Sequence, residues 1–270
     1  MLAGAPMTRP YLRLRQIALV ARALDPVERQ LTSVLGTEVC FRDPGVAKYG
    51  LHNALWALGG TFLEVVAPTR DGTAAGRYLD RRGGDGGYMY IVDCDDLDVR
   101  RAQLTALGVR VVEDIHAGDA ALWSEAVHLH PRDTGGCLLS IDRHSGGVDP
   151  MGGYRWAGAD WQSRARRDVV ISGAVLPCDD PAATTARWAR VLRRTATVGA
   201  GGRHELRLDN AVARFVPLAD GRGEGLAEVM LSCADPASMI AAAAAGGAAV
   251  GGGGSTWFEL CGVRFVIDRN

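Results

Sequence analysis

Four times along the chain a short apolar run ends in an Asp- or Pro-bearing turn and then gives way to helical spacing. The runs cover residues 16–21, 88–92, 169–176 and 226–231; the turns are Leu24-Asp25-Pro26, Asp95-Asp96-Leu97, Asp179-Asp180-Pro181 and Asp235-Pro236. An Asp at a helix start accepts a hydrogen bond from the first turn, and a Pro there has no N–H to lose. In the first unit Asp25 reads as the cap, and Val27, Leu31, Val34 and Leu35 share one helical face. Gly36 stops the helix. A second strand follows over 38–41, a turn at Asp43-Pro44-Gly45, and hairpin strands over 53–58 and 61–66 about Gly59-Gly60. The second unit repeats this as strand 88–92, helix 97–107 and strand 109–112. Its hairpin strands are 127–130 and 137–142, around Asp133-Thr134-Gly135-Gly136. The third has strand 169–176, helix 181–192 and strands 205–208 and 211–216. The fourth has strand 226–231, helix 236–245 and strands 256–260 and 263–267.

A recurring unit fixes the architecture. It predicts an α+β fold of four βαβββ modules, paired into two curled-sheet domains in tandem, each with eight strands and one concave face. Residues 1–11 read as a flexible tail and 12–144 as the two-module amino-terminal domain. Residues 145–167 read as a linker, with Trp156 and Trp161 packing it down between the halves. Residues 168–270 make a shorter, degenerate carboxy-terminal pair.

Composition narrows the function classes. The 270 residues carry a formal charge of −1, so there is no electrostatic footprint for nucleic acid. The Arg doublets lie among acids and helical residues and read as solvated faces. None of the six cysteines forms C-x-x-C, and most lie in apolar runs; they read as reduced, in a cytoplasmic protein. The start lacks the apolar core of a signal peptide, and no run approaches the roughly 20 apolar residues of a membrane span. The expected partner is a small-molecule ligand, with neither nucleic acid nor membrane, bound by a monomer or homodimer.

The module order, the Asp/Pro helix entries and the closing strand Thr61-Phe62-Leu63-Glu64-Val65-Val66 resemble the vicinal oxygen chelate superfamily. That superfamily includes glyoxalase I, methylmalonyl-CoA epimerase, extradiol dioxygenases and bleomycin-resistance proteins. The segments over 76–89 and 128–133 are similar to a subgroup of bacterial glyoxalase-like proteins. The resemblance implies two metal ligands per module, His or Gln early in its first strand and Glu in its last. Carried over, it implies Gln16 and Glu64 in module one, and Met89 and Ser140 in module two. Modules three and four give Ile171 with Arg214, and Leu226 with Arg264. His128 or His130, on the strand next to Ser140, is a candidate third ligand, with His128 taken as the metal ligand; the implied cofactor is one divalent ion (Zn, Ni, Mn, Co or Fe), or none if the groove only binds.

The residues themselves keep alternatives open. Glu64 inside an apolar strand costs several kcal/mol if buried unpaired; facing a polar cavity it becomes a base with a raised pKa. A solvated strand face, or pairing with Arg13 or Arg15, is the plainer reading. His128 and His130 share one strand face by period two, although His130-Pro131 also opens a turn. Phe41, Trp56, Phe62, Tyr88, His130 and Ser140 are the candidate substrate contacts. The glycine-rich run 81–87 opens no phosphate-binding helix and reads as a mobile loop over the amino-terminal cavity.

Two functions follow. In the first, a glyoxalase-like lyase or isomerase acts on a small oxygenated metabolite: Glu64 moves a proton next to a carbonyl that Gln16, with a metal or water, polarises. In the second, a non-catalytic protein of the bleomycin-resistance type sequesters a small molecule in the same groove.

Overall fold

The computed structural model describes residues 10–252 and 255–269; the expected tail lies outside them as far as residue 9. The first half contains strands β1 (Leu12–Val20), β2 (Leu51–Leu58), β3 (Thr61–Pro68), β4 (Gly86–Cys94), β5 (Val111–Gly118), β6 (Trp123–Leu129) and β7 (Leu138–His144). The second contains β8 (Val169–Cys178), β9 (Ala196–Val198), β10 (His204–Arg207), β11 (Val212–Pro217), β12 (Glu228–Cys233), β13 (Val250–Gly251), β14 (Thr256–Leu260) and β15 (Val263–Arg269). The helices are α1 (Leu24–Leu35), α2 (Ala74–Arg82), α3 (Leu97–Ala106), the single turn α4 (Pro131–Thr134), α5 (Pro181–Leu192) and α6 (Pro236–Ala245).

The strands form two curled sheets, ordered β2-β3-β1-β4-β7-β6-β5 and β13-β14-β15-β12-β8-β11-β10-β9. In every module the first strand runs parallel to the last: β1 with β3, β4 with β7, β8 with β11 and β12 with β15. The two first strands of each sheet pair antiparallel at its centre. This is the tandem α+β architecture that the repeats imply.

The first sheet has seven strands among the described residues, not eight. Segment 38–41 makes only an isolated bridge, Phe41 to Leu55. Asp43 then accepts from the Gly45 N–H at 2.8 Å and caps a 3₁₀ helix, Pro44–Tyr49, which takes the chain off the sheet edge. Strand β5 lies later than expected because Glu113, Asp114 and His116 mask its alternation. Asp96, Asp180 and Asp235 cap α3, α5 and α6 as expected. Helix α1 differs: Ala23 stands at its cap and Asp25 lies inside the first turn, where its charge suits the helix dipole. The run 81–87 is not a free loop. It ends α2 and begins β4, and Arg82 donates to the carbonyls of Arg222, Gly223 and Glu224.

The helices lie against one face of each sheet. A single apolar core, from Leu12 and Trp56 through Trp188 to Phe265, runs through both halves. The halves also interlock reciprocally. A β-bulge at Arg15 breaks the β1–β4 register between Leu14 and Gln16. Asn210, from the β10–β11 turn, bonds both backbone groups of Leu14 at 2.9 Å. In return Thr61, at the start of β3 beside the β2–β3 turn, accepts from the Ile171 N–H next to the matching irregularity in β8. Buried backbone groups need such partners, so each bulge is bonded by a turn of the other half.

The linker does not pack between the halves. It folds onto the face of the first sheet that the helices leave uncovered. Tyr154 and Trp161 are buried there against Phe62, Leu55 and Ala57.

Candidate functional site

The bulge at Arg15 decides what the concave face presents. It turns Arg15 and Gln16 to the same side of β1, while Leu14, Ile17 and Leu19 remain in the helical core. A second bulge in β4, between Gly87 and Met89, does the same for Tyr88. Tyr88 packs with Val20 and Val66 and meets Tyr78 edge-on at 5.2 Å.

Gln16 and Glu64 meet. The Gln16 Nε2 donates to one Glu64 oxygen at 2.8 Å, and Asn53 Nδ2 donates to the other at 2.6 Å. The Gln16 carbonyl accepts from the Tyr154 hydroxyl at 2.7 Å. Glu64 is only 7% exposed, and neither Arg13 nor Arg15 pairs with it. Burial pushes its pKa up from 4.5 to about 7; the nearby Asp43 charge adds to the rise, and the two amide bonds oppose it.

Deeper along the same face lies a second polar cluster. Arg13 grips both oxygens of Asp93 at 2.9 Å. Asp142 accepts from Ser140 at 2.5 Å and from the Trp156 indole at 3.0 Å; burial pushes it up from 3.8 to about 7, against those two bonds. His144 Nδ1 contacts Ser124 Oγ at 2.6 Å, and burial with the nearby arginine charges keeps its ring neutral.

The other expected residues fall elsewhere. His128 pairs with Glu113 at 3.7 Å, and burial lowers its pKa. Glu113 also takes Lys48 at 2.5 Å and the Tyr49 hydroxyl, so the 3₁₀ helix before β2 reaches across to β5 at the opposite sheet edge. His130 caps α4, accepting from the Arg132 N–H, and contacts Arg110. Trp56 faces α1, donating to Thr32 Oγ1 at 3.1 Å inside the helical core, so it is no wall of the concave face. Phe41 lines a groove with Glu28, Cys40 and Arg164 and packs against the cluster of Phe62, Tyr154 and Trp161. Phe62 is on the concave face but stacks on Tyr154 at 4.4 Å.

As arranged, these groups do not fit a divalent ion. The Gln16 oxygen, the atom that would ligate, is engaged by Tyr154, and its nitrogen faces Glu64. Among the described residues no three His, Cys, Asp or Glu side chains gather as a ligand set. Strand register places the counterparts of Gln16 at Met89, Gly173 and Glu228, and those of Glu64 at Ser140, Arg214 and Val266. Ile171, Leu226 and Arg264 are thus each two residues from the equivalent position. Arg214 and Arg264 pair with Glu205 and Glu259.

Asn53, Asp93, Asp142, His144 and Tyr154 carry much of this face and were not singled out in the sequence. For Asn53 the signal was present: hairpin register about Gly59-Gly60 sets it opposite Val66, diagonal to Glu64 on the same face of the neighbouring strand. Nothing local announces Tyr154, which reaches the sheet from an irregular segment.

The glyoxalase-like domain model matches residues 17–192. An ethylmalonyl-CoA/methylmalonyl-CoA epimerase of Cereibacter sphaeroides is 24% identical over 131 residues, 48% of this chain and 97% of that protein. A hypothetical protein from Staphylococcus aureus superposes with a TM-score of 0.67 at 11% identity, over 96% of this chain and 100% of that one. A mutant of 4-hydroxymandelate synthase from Streptomyces coelicolor gives 0.69 at 9%, over 97% and 93%. A Mn(II)-bound glyoxalase from Novosphingobium aromaticivorans gives 0.67 at 14%, over 97% and 83%. At such identities the structural likeness is one of fold. With the family model spanning well over half its length, the chain belongs to the glyoxalase-like domain family of the vicinal oxygen chelate superfamily.

Proposed function

We propose that the protein catalyses proton transfer at a carbon next to a carbonyl in a small metabolite, with Glu64 as the base. The observation that carries this reading is the buried Glu64 carboxylate, poised at about 7 and fixed by two amide donors. A base works best when its pKa lies near the working pH. An ionised carboxylate offers about four acceptor sites; Asn53 and Gln16 fill one on each oxygen, which leaves others for the incoming proton. The Gln16 and Asn53 amides each spend one N–H on Glu64 and keep a second. That second N–H is the group that polarises a substrate carbonyl in this reading. An epimerase among the relatives supports the reaction class. Because the donors do not fit a divalent ion as arranged, Glu64 acts here as a hydrogen-bonded base.

The sequestration reading has less support. Its apolar walls are committed elsewhere: Trp56 to α1, and Phe62 to Tyr154.

The test is hydrogen–deuterium exchange, followed by NMR, in a panel of small 2-oxo acids and thioesters incubated in D2O. Wild type should exchange the proton next to the carbonyl in at least one class. Glu64→Gln should slow that exchange at least about 100-fold. Equal exchange by the two proteins would overturn the assignment.

A further inference from the structure

Arg15 is fully buried, beside Gln16, and its guanidinium is only half used. Nη1 donates to the carbonyls of Gly60 at 2.6 Å and Pro150 at 2.5 Å. Nε and Nη2 have no hydrogen-bond partner among the described residues. Those two parallel N–H groups are the pair with which Arg13 grips both oxygens of Asp93. For Arg15 the same carboxylate lies 3.8 Å from Nε, beyond hydrogen-bond reach. Two buried nitrogens in the same cluster share the lack, His144 Nε2 and Trp161 Nε1; a third, Arg82 Nε, lies apart from it at the end of α2. Arg15, His144 and Trp161 surround Tyr154. Arg15 lies over the Tyr154 ring at 4.8 Å and over the Trp161 ring at 5.7 Å, and His144 meets the Tyr154 ring edge-on at 4.6 Å.

Buried N–H groups left unpaired are costly and uncommon. Charge points the same way. Arg13 and Arg15 bring two cations and Asp93 one anion, and below about pH 7 burial keeps the Asp142 carboxyl protonated. One positive charge is therefore left under the linker. A planar fork of two N–H groups matches a carboxylate in geometry and in charge.

We propose that Arg15, with Trp161 and His144, forms a recognition pocket for the carboxylate of a small organic acid, held between the first sheet and the linker. Tyr154 and Trp161 close the pocket, so the ligand enters when residues 145–167 lift from the sheet. The bulge that sets Arg15 beside Gln16 puts this pocket next to Glu64. The substrate of the proposed reaction is then a carboxylic acid anchored on Arg15; that last step alone rests on the role given to Glu64.

The probe is acetate, with formate as a smaller carboxylate and chloride at equal ionic strength as the control. Binding is read by line broadening of 13C-labelled acetate and by saturable thermal stabilisation. Wild type should bind acetate and formate and not respond to chloride. Trp161→Phe, which keeps an aromatic ring and removes one N–H, should weaken acetate about tenfold. Arg15→Met should abolish binding and should also melt lower without acetate, because the Gly60 and Pro150 carbonyls lose their donor. Glu64→Gln should bind acetate as wild type does, which separates this pocket from the proton-transfer reading. No saturable carboxylate binding by wild type, a response to chloride equal to that to acetate, or unchanged affinity in Trp161→Phe would each overturn the proposal, whether or not Arg15→Met folds.

Discussion

Replacing Glu64 by Gln should make the protein less stable in acid and more stable above neutrality. Burial raises the carboxyl from 4.5 to about 7, so the folded state holds the proton more tightly than the unfolded chain does. The stability that this proton confers is complete below about pH 4.5. It is lost as the pH rises towards 7, where the unfolded chain has ionised first, and it changes little beyond. At about 1.4 kcal/mol for each pH unit, the rise is worth roughly 3 kcal/mol. Glu64→Gln escapes that loss. It gives up something else: the new amide has one oxygen for two donors, Asn53 and Gln16, so one contact must rearrange or fail, at about 1 kcal/mol. The variant should be about 1 kcal/mol less stable at pH 4.5 and about 2 kcal/mol more stable at pH 8. The latter corresponds to a melting temperature higher by roughly 5 °C. Melting curves of both proteins at half-unit steps from pH 4.5 to 8.5 measure it. A difference that does not grow with pH would show that the folded carboxylate ionises as it does in water.

Asp142→Asn should behave in the same direction. It flattens a further fall in stability of about 4 kcal/mol between pH 4 and 7, and a variant that melts lower at every pH would contradict this. Tyr154→Phe should cost about 1–3 kcal/mol by leaving the Gln16 carbonyl without its donor, measured by thermal melting; an unchanged melting point would mean that the linker does not bond the sheet there. Trp56→Ala should cost about 3–5 kcal/mol by emptying the space under α1 and leave acetate affinity within about threefold; a large loss of affinity would move Trp56 to the concave face.

The modular fold was legible because its signals are local. Asp96, Asp180 and Asp235 each cap a helix within three residues, and Gly59-Gly60 marks a tight hairpin. Local signals do not report which face a residue takes after a bulge. One extra residue at Arg15 turns two consecutive side chains the same way, and the register error at Ile171 spans the corresponding irregularity in β8. Gln16 and Glu64 could be paired because both lie on parallel strands of one module. The assignment of Trp56 failed because strand alternation separates faces without saying which of them the helices cover. The linker was misplaced for another reason. Tyr154 and Trp161 sit in irregular chain, and only the tertiary structure shows that they bury on the first sheet.

The central claim is that Glu64 is a neutral-pH base, and a carboxyl titration tests it most directly. The 13C chemical shift of the Glu64 side-chain carboxyl, assigned by its absence from Glu64→Gln, can be followed from pH 4 to 9. A midpoint near 7 is the expected result. A midpoint near 4.5 would mean that the carboxylate is ordinarily solvated, and would contradict its role as the base.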